Sequence, residues 1–522
     1  MNLRRLSTGP GSTPLSYRER RHACRQVGQG LKRPAGMPAL PAEAASGGAP
    51  LRRAGQAAQR GSTFVIVLWI AFGLVSLTLY FAHSMSFELK AADTRVCGLA
   101  ADQAIEGATR YLSYVFVNFQ TNGVMPDPTT YLSEAVKVGD AHFWLIGRET
   151  NSTLGPNQVS FGLIDEASKL NLNTATSNML IYLPNMSEEL TMAILDWRDT
   201  NGGSGTFDTH YGMLHPPYLN KSAPFETVEE LRLVYGADLG LLVGNDLNRN
   251  GILDPNEAGQ GRATVVDPGL LEYVTVYSRE PNTYSNGTAR INIRNLTDTS
   301  ALQSLLQSTL DAGRASTILS TLQAAGGGGR LPGGGGGPAA PNQPGGGAAI
   351  RSFNSPLEFY EYLKTASSMT VEEFGQIARA LTTTNGAYIQ GRINVNTASA
   401  AVLACLPGIS DNPGLEQMLV SYREQNPDKL TSVAWVVEAL GANNSEALTK
   451  LAAEDSITTE SYQFAADIAA LGPHGRGYRR VRFIFDTSDG TPKIIYRQDL
   501  THLGWALGKD VRQTWLLAKD TR

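Results

Sequence analysis

Cysteine and histidine are scarce in this sequence, and their scarcity removes several classes of functional site. Only three cysteines and seven histidines occur in 522 residues. Cys24, Cys97 and Cys405 have neither the paired spacing of a zinc site nor the density of a disulfide scaffold. The sequence also contains no HExxH, GxSxG or Walker motif. We therefore expect a protein that is not an enzyme and that forms at most one disulfide bond.

The chain lacks a strong net charge, but its charges are unevenly distributed. The formal net charge is −4. Residues 1–61 hold eleven Lys and Arg and only two Glu, which leaves 33 basic and 46 acidic residues in 62–522. An acidic body does not offer the general basic surface that binding to phosphate backbones uses. We therefore expect no nucleic acid among the partners.

One long hydrophobic run is present near the N-terminus. The 21 residues 62–82, STFVIVLWIAFGLVSLTLYFA, carry no charge. At about 1.5 Å per residue, a helix of this length matches the roughly 30 Å hydrocarbon core of a bilayer. Arg52, Arg53 and Arg60 precede the run, and the positive-inside rule places them in the cytoplasm. The sequence predicts a single-pass membrane protein with the bulk of the chain in the periplasm.

Two alternatives remain open at this end of the chain. Ala82 and Ser84 form an acceptable cleavage site for a secretory signal, although the run is longer than the usual signal core of about 7 to 15 residues. The basic leader begins either at Met1 or at an internal start, Met37. Its Pro-, Gly-, Ala- and Arg-rich composition has no apolar periodicity, which predicts an unfolded segment.

The predicted membrane helix continues beyond the hydrophobic run. Apolar residues recur at near-helical spacing from Phe87 to Phe119, and no proline interrupts the chain before Pro126. This pattern predicts one helix over residues 62–120, with an amphipathic second half that packs on a globular domain.

The junction Arg60-Gly61-Ser62 resembles the processing site of type IV pilin-like proteins. The resemblance implies that prepilin peptidase removes the leader by cutting after Gly61 and that the new N-terminal Ser62 is methylated. Most members of that family carry Glu at the fifth mature position, which is Ile66 here. The subgroup without it is the K-type minor pseudopilin of type II secretion systems, whose place at a tip leaves no subunit above to pair with a buried carboxylate.

An internal repeat occupies the middle of the chain. Residues 171–187, NLNTATSNMLIYLPNMS, and 394–410, NVNTASAAVLACLPGIS, align without a gap at an offset of 223. In each copy, the Asn-x-Asn-Thr-Ala start offers an Asn or Thr side chain to cap a helix that Leu-Pro then ends. The pattern predicts two helix-hairpin-helix units, and RINIRN at 290–295 is a weaker echo of their start.

Tandem units of this kind resemble the helical domain that K-type pseudopilins insert into their fold. The segment ILDWRDTNG at 194–202 and residues 216–236 extend the likeness. The resemblance implies an α+β, type IV pilin-like fold, in which a long N-terminal helix packs on an antiparallel sheet and a large inserted all-α domain contains helix-hairpin-helix (SAM-like) repeats. It also implies a non-enzymatic inner-membrane subunit at the pseudopilus tip. With I-type and J-type minor pseudopilins, this subunit would prime assembly of the major pseudopilin for export of folded proteins.

These signals divide the chain into eight segments. Short β-rich runs and the turn Ser488-Asp489-Gly490 predict the strands of the sheet. The segments are a cleaved leader at 1–61, the helix at 62–120, the first part of the sheet at 121–167, the inserted domain with its first repeat at 168–300, a Gly-rich linker at 301–349, the second repeat at 350–455, the last strands at 456–507 and a tail at 508–522.

Residues 246–257, DLNRNGILDPNE, have the spacing of an EF-hand calcium loop. Gly251 lies at loop position 6, where the chain turns sharply. The predicted ligands are Asp246, Asn248, Asn250, the carbonyl of Ile252, Asp254 and Glu257. Two neutral Asn ligands favour weak binding, with a Kd of about 10⁻⁴ to 10⁻³ M. The alternative is an Asn- and Gly-rich turn that binds no ion.

A second group of oxygen ligands precedes this loop. Asp196, Asp199, Asn201 and Asp208 form a second candidate metal site, although their spacing fits no standard loop. The family resemblance adds that K-type pseudopilins bind calcium in their helical domain.

The alternative function is that of a membrane-anchored DNA-binding protein of a competence-type system, because helix-hairpin-helix units often bind DNA phosphates. The hairpin at 183–186 contains no glycine, and the second hairpin has only Gly408. Neither is followed by the cluster of Lys and Arg that phosphate binding uses. The hairpins therefore favour a packing role.

Overall fold

The structure, a computed structural model, describes residues 60–120, 123–148, 158–200, 205–259, 265–284, 286–296, 299–326 and 351–520. The predicted leader before Arg60 and the glycine-rich tract from 327 to 350 lie outside these residues. The chain divides into two compact units, Met1–Leu79 and Tyr80–Arg522.

The helices within the described ranges are α1 Arg60–Phe119, α2 Ser177–Leu180, α3 Glu188–Arg198, α4 Asp208–Met213, α5 Leu239–Val243, α6 Ser300–Thr309, α7 Ala312–Gly326, α8 Pro356–Ser367, α9 Val371–Ile377, α10 Ala400–Leu403, α11 Leu415–Gln425, α12 Ala434–Leu440, α13 Ser445–Ala452 and α14 Gly508–Asp520.

The strands are β1 Val136–Val138, β2 Ala141–Ile146, β3 Ile164–Asp165, β4 Leu170–Asn171, β5 Val274–Thr275, β6 Arg279–Pro281, β7 Ile291–Asn292, β8 Leu381–Thr382, β9 Tyr388–Gln390, β10 Ile393–Asn394, β11 Ile457–Thr458, β12 Gln463–Leu471, β13 Arg479–Asp486 and β14 Lys493–Asp499.

The first compact unit contains the apolar part of α1. Side chains 63–79 are all exposed, and an 18-residue window of this helix reaches a mean hydropathy of 2.4. Within the described ranges, α1 is the one helix that is long and apolar enough to cross a membrane. Exposed apolar surface costs about 25 cal/mol per Å² in water, so these side chains require a non-aqueous environment. This is consistent with a single-pass anchor.

In the second unit, the continuation of α1 packs on a sheet. The helix residues that face the sheet are Ala101, Ala104, Ala108, Leu112 and Val115, which recur every three or four positions and are buried. Phe116 stacks on Phe464 of β12 with ring centroids 5.2 Å apart. The predicted continuous helix is confirmed.

The sheet has the strand order β1-β2-β12-β13-β14, with β3 paired to one end of β12, and all these pairs are antiparallel. All nine residues of β12 are buried, because both faces of the sheet are covered. Phe464 and Ile468 belong to the core under α1, whereas Ala469 and Leu471 belong to the core on the opposite face. The predicted long helix on an antiparallel sheet is confirmed.

The chain leaves the sheet after β3 and returns at β12. The segment between these strands, the insertion, contains three similar strand pairs, each of which closes one unit of the chain. In each, an apolar-Asn strand pairs in parallel with an apolar-Thr strand: β4 with β5, β7 with β8, and β10 with β11. The weak RINIRN echo therefore begins a third closed unit. The prediction of an all-α insertion is wrong, because the insertion contains these parallel strand pairs. Each two-residue ladder provides hydrogen-bond partners for the backbone groups beside its Asn.

Two copies of the repeat fold alike around an arginine, which is half-buried in the first copy and buried in the second. The first helix has four residues in both copies, and the second has eleven. Arg198 donates to the carbonyls of Leu172 and Ala175, and Arg423 donates to the equivalent carbonyls of the other copy. Each arginine thereby fixes the turn that leads into the first helix.

The expected helix caps differ by a few residues from the observed ones. Thr176 and Ser399 accept the capping hydrogen bonds of α2 and α10, rather than the Asn or Thr of the Asn-x-Asn-Thr motif. The side chains of Asn171 and Asn394 instead accept from the backbone two residues later, which forms the turn before the helix.

The predicted linker at 301–349 is wrong over its first part. Residues 301–326 form most of α6 and all of α7, and Leu302, Leu306, Ile318 and Leu322 are fully buried in the core of the insertion. The two buried residues of each helix are four positions apart, which is a helical spacing, and the glycine-rich composition starts only at Gly326.

The predicted tail at 508–522 is a helix over most of its length. In α14, the ring of Trp515 lies 4.8 Å from that of His142 and 5.9 Å from that of Trp144, both on β2. This helix thus covers part of the sheet face opposite α1.

Candidate functional site

The predicted calcium loop is folded around its first and last carboxylates. Asp246 accepts hydrogen bonds from the backbone N–H groups of Asn250, at 3.0 Å, and Gly251, at 2.7 Å. Gly251 has a φ of +84°, which is the left-handed conformation that a glycine adopts without strain. The sharp turn expected at loop position 6 is therefore present.

The other end of the loop is closed by Glu257. Its two carboxylate oxygens accept from the backbone N–H groups of Asn248, at 3.1 Å, and Asp254, at 3.0 Å. Asp246 and Glu257 are both buried, and burial is the largest cause that raises the pKa of each carboxyl. A nearby cation would offset that cost of burial.

The amide side chains of the loop point toward Asp254. Asn248 and Asn250 donate from Nδ2 to Oδ2 of Asp254, at 2.6 and 3.0 Å. Oδ1 of Asn248 is buried and has no hydrogen-bond partner. A buried amide oxygen without a donor is suited to a cation, because calcium prefers hard oxygen ligands.

The donor set thus fits calcium chemically, although its carboxylates remain apart. No group of three or more Asp, Glu, His or Cys side chains in the described part of the chain is arranged to hold a metal ion. The carboxylates of Asp246 and Glu257 are instead occupied by backbone N–H groups. The loop carries suitable oxygen ligands on one short segment, but these ligands would have to rearrange to surround an ion.

The second candidate site brings together two of its predicted residues. Oδ2 of Asp208 accepts from the backbone N–H of Gly205 at 2.7 Å, and Oδ2 of Asp196 is buried without a hydrogen-bond partner. A Cβ on Gly205 would lie 2.7 Å from Oδ2 of Asp196 and 3.2 Å from Oδ1 of Asp208. Gly205 therefore leaves the space between these carboxylates open.

Asn220 also belongs to this second cluster, although it was not predicted from the sequence. It donates from Nδ2 to the carbonyl of Asp196 at 2.9 Å, and its Oδ1 is buried without a partner. No local motif marks Asn220, which is twelve residues from Asp208. Asp199 follows the end of α3, and the predicted ligand Asn201 lies outside the described residues.

A third polar cluster lies inside the insertion and was not predicted. Glu280 and Arg392 are buried, with 3.5 Å between Oε2 and Nη1, and Arg392 also pairs with Asp455. Burial raises the pKa of Glu280 to about 7, although Arg392 opposes the shift. Oε1 of Glu280 has no hydrogen-bond partner, so its contacts only partly offset the cost of burying a charged carboxylate.

The hairpins do not expose a phosphate-binding surface. Gly408 is buried, and a Cβ there would lie 2.3 Å from the carbonyl oxygen of Ala447. In the first hairpin, Asn185 donates to the carboxylate of Asp267 at 3.3 Å, and a carboxylate at that position would repel phosphate. The alternative DNA-binding function is therefore not favoured.

The remaining predicted features concern the processing site and the cysteines. The helix begins at Arg60, so Gly61 and Ser62 lie in its first turn. Cys97 and Cys405 are both free and buried, and burial raises the pKa of both thiols, to about 12 for Cys405. Cys24 lies outside the described residues.

Comparison with known proteins gives a match in one segment. Residues 168–242 match the family described as Type II secretion system (T2SS), protein K. The segment covers the first repeat and ends four residues before the predicted calcium loop. It confirms the resemblance to protein K that the repeat had indicated.

Among solved structures, one similar chain comes from the complex of GspK, GspI and GspJ of the enterotoxigenic Escherichia coli type 2 secretion system. The alignment covers 80% of the present chain and 98% of that chain, at 11% identity and a TM-score of 0.34. A search of curated proteins found no match.

Proposed function

We propose that this chain is a K-type minor pseudopilin, a non-enzymatic subunit at the tip of a type II secretion pseudopilus. The observation that carries the proposal is the protein K segment at 168–242, which lies in a chain with an apolar N-terminal helix. In this role, α1 anchors the subunit in the inner membrane as a single pass. The sheet and the insertion lie in the periplasm, where the insertion forms the bulk of the tip.

Its proposed partners are the I-type and J-type minor pseudopilins. The complex named above contains GspK together with GspI and GspJ. Prepilin peptidase removes the leader after Gly61, and the tip complex then primes assembly of the major pseudopilin for export of folded proteins. Ile66 at the fifth mature position agrees with a tip subunit, because no subunit lies above it to neutralise a carboxylate.

Co-purification tests the proposal. The full chain is co-expressed with the neighbouring I-type and J-type subunits, and we expect recovery of a complex of all three from detergent. Val96 and Leu99 of α1 are about 60% exposed in the second unit, and changing both to Ser should reduce that recovery. The control changes Leu219 and Val265, which are exposed residues of the insertion, to Ser. Recovery of the native chain only as a lone monomer would contradict the proposal.

We also propose that residues 246–257 bind calcium. Asp246, Asp254 and Glu257 supply carboxylate oxygens, Asn248 and Asn250 supply amide oxygens, and Ile252 supplies its carbonyl. Bound calcium provides positive charge among these buried oxygens. The support is the EF-hand spacing, the left-handed turn at Gly251 and the unpartnered amide oxygen of Asn248.

Thermal unfolding of the full chain in detergent tests this site. With a Kd of about 10⁻⁴ to 10⁻³ M, calcium at about 10 mM should stabilise the fold by about 1.4 to 2.7 kcal/mol, and a chelator should reverse the effect. Asp246→Ala with Glu257→Ala should remove the part due to this loop. Asp196→Ala with Asp208→Ala is the matched comparison for the second cluster. An unchanged calcium effect in the first pair would show that the ion binds elsewhere.

A further inference from the structure

We infer that the calcium loop clamps the insertion to the sheet, so that occupancy of the loop by calcium stabilises the sheet itself. In this arrangement, Arg480 is the positioning residue that joins the loop to the two central strands. The inference rests on the proposed calcium site, and it assigns to that site a mechanical role between two parts of the second compact unit.

Arg480 of β13 contacts both the sheet and the loop. Its side chain is fully buried, and it donates to both carboxylate oxygens of Asp467 on β12, from Nε at 2.8 Å and from Nη2 at 2.6 Å. Nη2 also donates to the carbonyl of Arg249 at 2.8 Å, and Nη1 donates to the carbonyl of Asn248. One guanidinium therefore ties loop positions 3 and 4 to two neighbouring strands.

This contact makes the sheet depend on the loop. A buried ion pair is stable only when its remaining donors and acceptors are satisfied. If the loop moved away, Arg480 would lose two carbonyl acceptors while remaining buried between the strands. The loss of a buried partner costs about 1 to 3 kcal/mol, and more for a charged group.

The same loop is held at other points. Arg148, just after β2, donates to the carbonyl of Arg249 at 2.9 Å and forms an ion pair with Glu272 of the insertion at 2.8 Å. Asn248 donates from Nδ2 to the carbonyl of Trp505, beyond β14, at 3.1 Å. Residues of three segments in or next to the sheet thus form hydrogen bonds with the backbone or side chains at loop positions 3 and 4.

The residue at loop position 7 links the predicted ion site with the sheet core. The side chain of Ile252 is buried with Trp144, Ile146, Ala469 and Leu471 on the face opposite α1. Its carbonyl is a predicted ligand. The backbone that binds the ion and the side chain that packs on the sheet therefore belong to one residue. By linkage, whatever stabilises one of these arrangements stabilises the other to the same extent.

Asp467 has an electrostatic part in the clamp. Without it, the positive charge of Arg480 would remain uncompensated beside the proposed cation site and would oppose calcium binding. Because the bidentate pair with Asp467 neutralises the guanidinium, Arg480 can bind the loop carbonyls with little repulsion between its charge and the calcium ion.

Hydrogen exchange of the full chain in detergent, with calcium chloride or with a chelator, tests the inference. In the native chain, calcium at about 10 mM should slow the exchange of β12 and β13 amides about tenfold or more, because opening the sheet releases the loop. Calorimetric titration with calcium chloride measures binding separately.

The main variant is Asp467→Leu with Arg480→Met, which removes both charges and leaves no orphaned ion in the core. It should bind calcium about three- to tenfold more weakly, and calcium should no longer protect β12 and β13. Arg423→Met is the matched control, because Arg423 is a buried arginine that donates to two backbone carbonyls away from the loop. In that variant, the protection of the sheet by calcium should persist.

The possible outcomes separate the two proposals. Calcium binding without slower exchange in the native sheet would overturn the clamp and leave the calcium site standing. Absence of calcium binding to the native chain would overturn the calcium site and the clamp together. Full protection of the sheet in the double variant would overturn the role of Arg480.

Discussion

At the scale of single residues, buried and half-buried arginines position backbone turns in this protein. Arg198 and Arg423 occupy equivalent positions in two copies of the repeat, and each donates to two backbone carbonyls of the preceding turn. The sequence places an arginine in both copies, but the repeat alone assigns it to a solvated face as readily as to a buried one. Its function as a backbone donor follows only from the packing of the two helices.

Replacing Arg423 by Met should destabilise the insertion. The two carbonyl acceptors, of Val395 and Ala398, would be left without their charged donor, which costs about 2 to 4 kcal/mol. Thermal unfolding measures the change. Gln417→Ala, an exposed position on the same helix, is the control and should change stability by no more than about 0.5 kcal/mol. Equal melting temperatures for both variants would contradict this role of Arg423.

Glu280 should give the protein a measurable dependence on pH. Its pKa is raised by burial, to about 7 from a usual value near 4.5. The folded state therefore keeps a proton that the unfolded state has lost, so stability falls as pH rises from about 4.5 to about 7. The charged neighbours Arg392, Arg290 and Glu460 contribute to this shift in opposite directions.

Glu280→Gln should remove that dependence. We expect a gain on the order of 1 to 3 kcal/mol over the native chain at pH 8 and no gain near pH 4.5, measured by thermal unfolding across this range. The exposed Glu134→Gln is the control and should leave the pH profile unchanged. A loss of stability at pH 8 would mean that the ion pair with Arg392 outweighs the cost of burying the carboxylate.

At the scale of elements, α1 was the most predictable part of the fold and the short strands were the least. A hydrophobic run without proline or charge specifies a helix locally, and the structure has one from Arg60 to Phe119. The parallel two-residue ladders join segments 64 to 104 residues apart in sequence. No local pattern can signal such a pair, because its stability comes from the packing of the helices between its strands.

Processing of α1 is a prediction about its N-terminal end. Mass spectrometry of the membrane-inserted chain should find a methylated N-terminal Ser62, and Gly61→Ala should leave the leader attached. Gly73→Ala is the matched control, because a Cβ there has open space around it within the structure, and processing should continue in that variant. A mature terminus near Met85 would instead indicate cleavage of a secretory signal.

At the scale of the whole molecule, the sheet is a layer covered on both faces. α1 covers one face, while α14, Ile252 of the proposed calcium loop and the segment after β14 cover the other. From sequence, the last fifteen residues are predicted to be a tail, because a short polar segment with one tryptophan carries no strong core signal. Only the completed sheet presents His142 and Trp144 as a surface on which Trp515 can pack.

Truncation after Leu507 should therefore destabilise the second compact unit. Removing α14 exposes part of the core around Trp144, at a cost of about 1 to 3 kcal/mol. Thermal unfolding should show a lower melting temperature, and tryptophan emission should shift to longer wavelength. A chain that ends at Asp520 is the control and should match the full chain. An unchanged melting temperature after removal of α14 would contradict its stabilising role and support the original prediction of a tail.

The sequence by itself determined the apolar N-terminal helix, the antiparallel strands, the repeat and the oxygen-bearing side chains of loop 246–257, because each is encoded by residues close together along the chain. Tertiary structure alone decided that residues 301–326 form core helices, that Asn220 lies in one cluster with Asp196 and Asp208, and that Arg480 donates hydrogen bonds to the loop. The physical reason is distance along the chain. Arg480 and Asn248 are 232 residues apart, and their contact exists only because the sheet, once closed, buries both.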